Sequence, residues 1–391
     1  MKDDILVAGV GITRFGRMID QTLEQIAEPA VRQALADAGL DRSDIDIAFV
    51  ANAVSAVTTG QVSVVGQSVL RPLGFSGLPV FNIENACAGS SSAVNLAISA
   101  LRSGAASAAL VLGVEKMYSE DRRATYTALN GAVDRPLLDA AGVDPGEGSV
   151  FVSTVYPRRV HDYGRRWGLD GRDLARIAVK NREHASLNPE AQYTKAMTIE
   201  DVLASRTVAE PITAFMCAPV SDGAAALVLT TGDHRRRARE AFIRGSAIGM
   251  GAPPAEGRSS VARVARRAYD EAGIGPSVIS VAEVHDSIAF NELLAYEELG
   301  FCDPGAGASL VRSGTTRLGG RLPVNPSGGL ESRGHPMAAT GAAQIGELAR
   351  QLRGEAGARQ VPAARWAVAE NAGGYVIDDT AAIAVTVLEA A

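Results

Sequence analysis

Phe81-Asn82-Ile83-Glu84-Asn85-Ala86-Cys87-Ala88-Gly89-Ser90-Ser91-Ser92 runs directly into Ala93-Val94-Asn95-Leu96-Ala97-Ile98-Ser99-Ala100-Leu101. A partly apolar run meets a cysteine, then small residues, then apolar positions at helical spacing. The pattern reads as strand, tight turn and helix, with Cys87 on the turn where the helix starts. Unpaired N–H groups and the positive end of the helix dipole favour a thiolate there. The small neighbours leave room for a carbonyl group, which suits a nucleophile. The alternative is a buried core cysteine, a common place for a free thiol.

Outward from this turn the same alternation repeats. Residues 5–10, 47–51 and 108–113 read as strands, and 23–38 as a helix ending at Gly39. Residues 224–230, 279–284, 366–369 and 381–388 read as further strands, with helices over 291–299 and 339–352. Strands alternating with helices predict an α/β sheet covered on both faces. Two halves of similar order suggest a duplication. From Tyr118 to about Ser205 arginine and polar residues become frequent, and Tyr156, His161, Tyr163 and Trp167 fall here. This stretch reads as an inserted loop domain, of the kind that often covers a substrate site. Residues 233–240 read as a charged surface connection.

A chain of 391 residues is too long for one ordinary core. With 47% hydrophobic and 21% charged residues it has a globular composition, and 5% aromatics leaves the core to Ala, Val, Leu and Ile. A net charge of −6 gives no reason to expect a nucleic-acid or anionic-membrane partner. Three cysteines, an odd number, argue against a disulfide framework and for a reducing compartment, and no pair has zinc-ligand spacing. There is no signal-peptide pattern, no apolar stretch fit to span a bilayer and no C-terminal peroxisomal address, so a cytoplasmic location is expected.

Two histidines stand in unusual settings. His285 follows the strand-like 279–284 and precedes Asp286-Ser287, and ligands bind at the carboxyl ends of strands in such sheets. His335 lies in Asn325-Pro326-Ser327-Gly328-Gly329-Leu330-Glu331-Ser332-Arg333-Gly334-His335-Pro336, a glycine-rich loop before a helix. The dipole there favours neutral imidazole, which suits a general base. Structural, hydrogen-bonded histidines are the alternative for both. Ala369-Glu370-Asn371-Ala372-Gly373-Gly374-Tyr375 reads as a strand and a glycine turn whose N–H groups can meet an oxyanion. If these elements converge, they make an acyl-transfer site.

The chain resembles a thiolase, of the sterol-carrier-protein-2 type, over nearly its whole length. The most specific stretches are Glu283 through Gly300, beginning Glu-Val-His-Asp-Ser, and the block from Asn325 through Gly346. Ser221-Asp222-Gly223 and Gly113-Val114-Glu115-Lys116-Met117 match as well. The resemblance implies two duplicated βαβαβαββ halves in a five-layer αβαβα sandwich with an inserted loop domain, usually as a homodimer. The N-terminal half would comprise residues 1–118 and 206–236, the loop domain 119–205 and the C-terminal half 237–391. It implies Cys87 as acyl acceptor, His335 as its base, and His285 at the thioester oxygen. The N–H groups of Cys87 and Gly373 would form a second oxyanion hole, with Ser287 and Asn371 nearby. Coenzyme A would be a substrate, its phosphates near Arg165 or Arg166, and neither an organic cofactor nor a metal is expected.

This sequence departs from that pattern. Thiolases usually carry a second cysteine as acid/base. In the sterol-carrier type it follows His-Asp, where this chain has Ser287, and a hydroxyl exchanges a proton far less readily than a thiol. Asn371 stands at the other usual place, and neither Cys217 nor Cys302 matches either. Ala338 replaces a customary glycine and is expected to narrow the space near His335. A water or Tyr375 would then supply the missing function, or the enzyme would take an unusual 3-ketoacyl-CoA, or transfer acyl groups without making a carbon–carbon bond. Retro-aldol relatives generally lose the cysteine and the Gly-His-Pro, which this chain keeps. The other class of function is a partner-dependent or non-catalytic subunit working with a small zinc-ribbon/OB-fold protein.

Overall fold

The computed structural model describes residues 4–232, 234, 237–253 and 259–391. The strands are β1 (Ile5–Ile12), β2 (Ile47–Ala51), β3 (Val80–Ile83), β4 (Ala108–Glu115), β5 (Gly223–Thr231), β6 (Ala241–Gly249), β7 (Val281–Glu283), β8 (Trp366–Val376) and β9 (Asp379–Ala390). They lie in the order β3-β2-β4-β5-β1-β6-β9-β8-β7. The first five make one half and the last four the other, and within the sheet, among the described residues, they join where Ile5 and Leu6 pair with Ile243 and Phe242.

Read outward from that junction, the halves repeat each other. β1, antiparallel β5, antiparallel β4 and parallel β2 match β6, antiparallel β9, antiparallel β8 and parallel β7. Even the outermost position recurs, because Val324 bridges Ala282 in parallel where β3 flanks β2. The expected duplication is therefore visible in the topology.

Helix α1 (Leu23–Ala38) follows β1 and α2 (Gly89–Arg102) follows β3, while α3 (Tyr156–Trp167) and α4 (Gly171–Ala185) lie between β4 and β5. Helix α5 (Ser260–Ala272) follows β6, α6 (Ala289–Glu298) follows β7, and α7 (Thr340–Arg353) precedes β8. Side chains alternate along a strand, so each sheet sorts its residues into two cores. Val111, Leu227 and Leu229 pack with Ala93, Ala97 and Ile98 of α2 and Ala342, Ile345 and Leu348 of α7 in a central layer. Their neighbours Leu110, Leu112 and Val228 pack with Ile26, Ala30 and Ala34 of α1 on one outer face. Val368, Val385 and Val387 meet Val264, Ala268 and Tyr269 of α5 on the other. The five layers expected from the resemblance are thus α, β, α, β, α.

Small residues set the close spacing. A Cβ on Gly11 would stand 1.9 Å from the Ala30 carbonyl oxygen of α1, and one on Gly245 would stand 2.2 Å from the Ala268 carbonyl oxygen of α5. Both halves use the same device to seat their outer helix.

Residues 116–222 add no strand to the large sheet, and among the described residues their one ladder is Thr207–Ala209 with Ile212–Thr213. Isolated bridges tie the stretch to the sheet ends: Val133 to Tyr375, Cys217 to Ile288 and Val220 to His335. The glycine turn expected at 373–374 is not a turn, because β8 continues through it to Val376 and pairs with β9. The charged connection expected at 233–240 lies in part outside the described residues, as do residues 1–3. No helix among the described residues is long and apolar enough to cross a membrane.

Candidate active site

Cys87 sits on a single 3-10 turn, Ala86–Ala88, that runs straight into α2. Ala86 takes a positive φ of 47°, which sharpens the turn. The equivalent position in the second half is the loop that carries His335 into α7. The two helix starts touch: Ser90 Oγ accepts the Ala342 N–H at 2.9 Å, and a Cβ on Gly341 would fall 2.0 Å from Ser91 Oγ. That contact brings Cys87 and His335 together from opposite halves.

The other motifs hold this meeting point in place. Ser221 Oγ accepts the His335 N–H at 2.9 Å. Glu115, fully buried, accepts from Ala53, Val54 and Ser55 and from the Ala338 N–H. Asp222 gathers the N–H groups of Met18, Met117 and Tyr118. Asp286 accepts the Leu330 N–H at 2.7 Å, which staples the His285 loop to the His335 loop. Gly329, at φ 61°, must be glycine there, since a Cβ would stand 2.2 Å from the Asp286 carboxylate.

One ligating atom each of Cys87, His285 and His335 lies within 4.8 Å of the other two. The imidazole rings meet edge to face with centroids 5.1 Å apart. All three side chains are buried yet line one cavity of ≈ 850 Å³. Such a trio is also a soft-metal ligand set, since thiolate and imidazole both suit zinc.

Hydrogen bonding fixes both tautomers. Thr340 Oγ1 donates its only proton to the Pro336 carbonyl, so the Nδ1 of His335 at 2.7 Å must donate to Thr340. Its Nε2 is left with a free lone pair. His285 is set the other way, because Asn371 Nδ2 donates to its Nδ1 at 3.0 Å and leaves Nε2–H as a donor. Burial pushes the His285 pKa down to about 3. Burial first, then the His285 and Arg333 charges, holds His335 well below the ordinary imidazole range. One imidazole is thus a base and the other a neutral donor.

Burial, then the nearby Glu115 charge, pushes the Cys87 thiol up to about 12, against a smaller opposite pull from the N–H groups of Gly374 and Cys87 itself. The expected dipole-stabilised thiolate is therefore overruled by desolvation, and the resting sulfur keeps its proton. A raised pKa means a thiolate fraction that climbs with pH throughout the working range. Alkylation of Cys87 by iodoacetamide, followed by peptide mapping, should accelerate about tenfold per pH unit from 7 to 9. A plateau near pH 7 would contradict this.

Gly373 backs the Cys87 turn, and a Cβ there would stand 2.8 Å from the Cys87 nitrogen and 2.7 Å from that of Ala88. Gly373→Ala should displace the turn, cost about 1–3 kcal/mol in thermal unfolding and slow acylation. Asn371 is not on the cavity wall: its side chain sits behind His285, bonded also to Ser91. Ser287 is on the wall, its Oγ accepting from Asn291 at 2.8 Å and lying 2.8 Å from the Tyr156 hydroxyl. Tyr375 lines the cavity but donates its hydroxyl to the Asp378 carbonyl. Ala338 is fully buried and off the wall, so it does not narrow the cavity. Arg165 and Arg166 are off the wall too, one paired with Asp162 and the other stacked on Trp167.

Three wall residues escaped the sequence reading. Tyr156 was legible only as one aromatic of the insertion. Cys217 lies on the wall through its bridge to Ile288, next to Ser287. Glu370 accepts the His285 N–H at 2.9 Å, and burial raises its carboxyl to about 7. Cys302 packs at the edge of the outer core beyond β7.

The family profile described as "Thiolase, N-terminal domain" matches residues 5–233, and "Thiolase C-terminal domain-like" matches residues 252–386. The chain belongs to the thiolase family. Its relatives include an acetyl-CoA acetyltransferase of Methanothermobacter thermautotrophicus, 35% identical over 95% of this chain and 96% of the relative. Bovine sterol carrier protein 2 is 33% identical over 95% of this chain and 70% of its own length. The benzoylsuccinyl-CoA thiolase subunit BbsB of Thauera aromatica is 33% identical over 95% and 94%. Among solved structures, the "Ltp2-ChsH2(DUF35) aldolase" superposes with a TM-score of 0.81 at 25% identity, covering 99% of this chain and 98% of that one. This thiolase is an acyltransferase-type enzyme of acyl-CoA chemistry.

Proposed function

We propose that the protein cleaves or forms 3-ketoacyl-CoA through an acyl-thioester on Cys87. The observation that carries this is the convergence of the Cys87, His285 and His335 ligating atoms within 4.8 Å on one cavity. In the cleavage direction Cys87 Sγ attacks the ketone carbon while its proton passes to His335 Nε2. N–H donors, including His285 Nε2–H and the backbone at 373–374, hold the developing oxyanion. The bond between the α-carbon and the ketone carbon then breaks, and its electron pair goes to the α-carbon of the shortened acyl-CoA, which takes a proton. Coenzyme A passes its thiol proton to the group that protonated the α-carbon, attacks the Cys87 thioester and leaves with the acyl group, while the released Cys87 sulfur takes its proton back from His335. The chemistry needs neither a resident cofactor nor a metal.

The proton for the α-carbon is assigned to the Tyr156–Ser287 pair, the hydrogen-bonded hydroxyls on the wall at the position where the resemblance implies a second cysteine. Burial pushes the Tyr156 phenol well above its ordinary range, so it holds a proton to give. The segment 119–205 acts as the loop domain over the cavity, between halves formed by 1–118 with 206–236 and by 237–391. Intact-mass spectrometry after incubation with acetoacetyl-CoA should show an acetyl adduct that maps to the Cys87 peptide. Absence of any adduct would remove the mechanism.

A homodimer is supported by the open edge of β3, where Phe81 is 50% exposed, and by the exposed Val62 and Val64 in the segment before β3. The names of two relatives, one a subunit and one a complex, support a second reading in which a zinc-ribbon/OB-fold partner is required. Full activity from a monodisperse homodimer would exclude it. The cytoplasm suits either reading.

A further inference from the structure

Arg182 projects from α4 onto the cavity wall at 8% exposure. Its Nε has no hydrogen-bond partner, and among the described residues no carboxylate stands within ion-pair distance of it. Its guanidinium lies 4.8 Å from the Tyr193 ring centre. The nearest acid in effect is Glu331, also on the wall, whose Oε1 is likewise buried and unpartnered. Burial and the neighbouring Asp286 and Glu292 push the Glu331 carboxyl well up, which disfavours its charged form. A buried guanidinium with no carboxylate at ion-pair distance is costly, and the cost is offset when an anion arrives. Two exposed cations, Lys195 and Arg206, line the same cavity. The wall also carries Arg159 and the carboxyl residues Glu147, Glu298, Glu331 and Glu370, so it is the missing partner of Arg182, not the overall charge of the wall, that marks the place.

We propose that Arg182, with Lys195 and Arg206, forms a subsite for a carboxylate or phosphate group of the thioester substrate. This rests on the reading of the cavity as a thioester site. The anion has two possible sources: a carboxyl group at the far end of the acyl chain, or the phosphates of coenzyme A. The guanidinium fork suits either, since both present paired oxygens.

Calorimetric titration of the full-length Cys87→Ala protein, with and without Arg182→Gln, separates the sources. The probes are glutaryl-CoA, valeryl-CoA and the pantetheine thioesters of both acids. If Arg182 meets an acyl carboxylate, the preference for glutaryl over valeryl falls roughly tenfold or more on both carriers. If it meets coenzyme A phosphate, the preference for coenzyme A over pantetheine falls by a similar factor for both acids. Arg182→Lys should retain much of whichever preference is lost. If neither ratio moves, the subsite is overturned. Should Arg182→Gln fail to fold, the rim double variant Lys195→Gln/Arg206→Gln reads the same ratios, with a fall of about threefold expected and no change again overturning the subsite. Binding needs no sulfur at position 87, so the outcome stands apart from whether Cys87 takes an acyl group.

Discussion

Cys87→Ala abolishes the covalent acyl adduct, and His335→Asn slows its formation by about a thousandfold; these are the largest effects the geometry predicts. The reason is the resting state of the sulfur. With its pKa raised to about 12, almost none of it is thiolate at neutral pH. The proton must leave as the carbonyl arrives, and the one lone pair oriented for it is His335 Nε2, held in that tautomer by Thr340. Asparagine keeps the size and a hydrogen bond but has no basic nitrogen. Stopped-flow measurement of the acylation burst, with mass mapping of the adduct, provides the reading. Acylation of His335→Asn at the wild-type rate would show that something other than this imidazole takes the proton. Because burial keeps both histidines neutral, acylation should also hold its rate as pH falls from 7 to 6 rather than titrate away as a free imidazole would.

Tyr156→Phe is expected to split the reaction. Removing the phenol should slow acetoacetyl-CoA thiolysis by about a hundredfold, while acyl transfer from a simple acyl-CoA, which forms no carbanion, falls much less. Ser287→Cys should raise thiolysis, since a thiol placed beside Tyr156 exchanges a proton more readily than the hydroxyl there. Equal losses in both reactions for Tyr156→Phe, or no gain for Ser287→Cys, would take the second acid/base away from this pair.

The fold was legible because its signals are local. Apolar runs such as 224–230 are buried on both faces, and Gly39 ends α1 in the left-handed conformation. Cys87 and His335 were legible because each stands on a short turn of small residues that leads into a helix. What composition and spacing could not show were the effects that depend on where the chain closes on itself. The dipole argument pointed to a thiolate at Cys87, but the depth of burial that reverses it comes from the second half packing over the first. Tyr156 and Cys217 belong to an insertion that the bridges of 133 to 375, 217 to 288 and 220 to 335 bring to the sheet ends, contacts between positions far apart in the chain. Arg182 looked like one polar residue of a polar stretch, as did Asn181 beside it, which donates to the Asp286 and Glu292 carboxylates.

The repeat that places Cys87 and His335 at equivalent helix starts has a kinetic corollary. Each half carries a reactive group that is inert without the other's, so catalysis reports on docking of the pair. During refolding, activity should return only with the last event, the closure of α2 against α7 at Ser91 and Gly341, however early either sheet forms. An ancestral single-repeat chain could have built such a centre only by associating with another copy of itself.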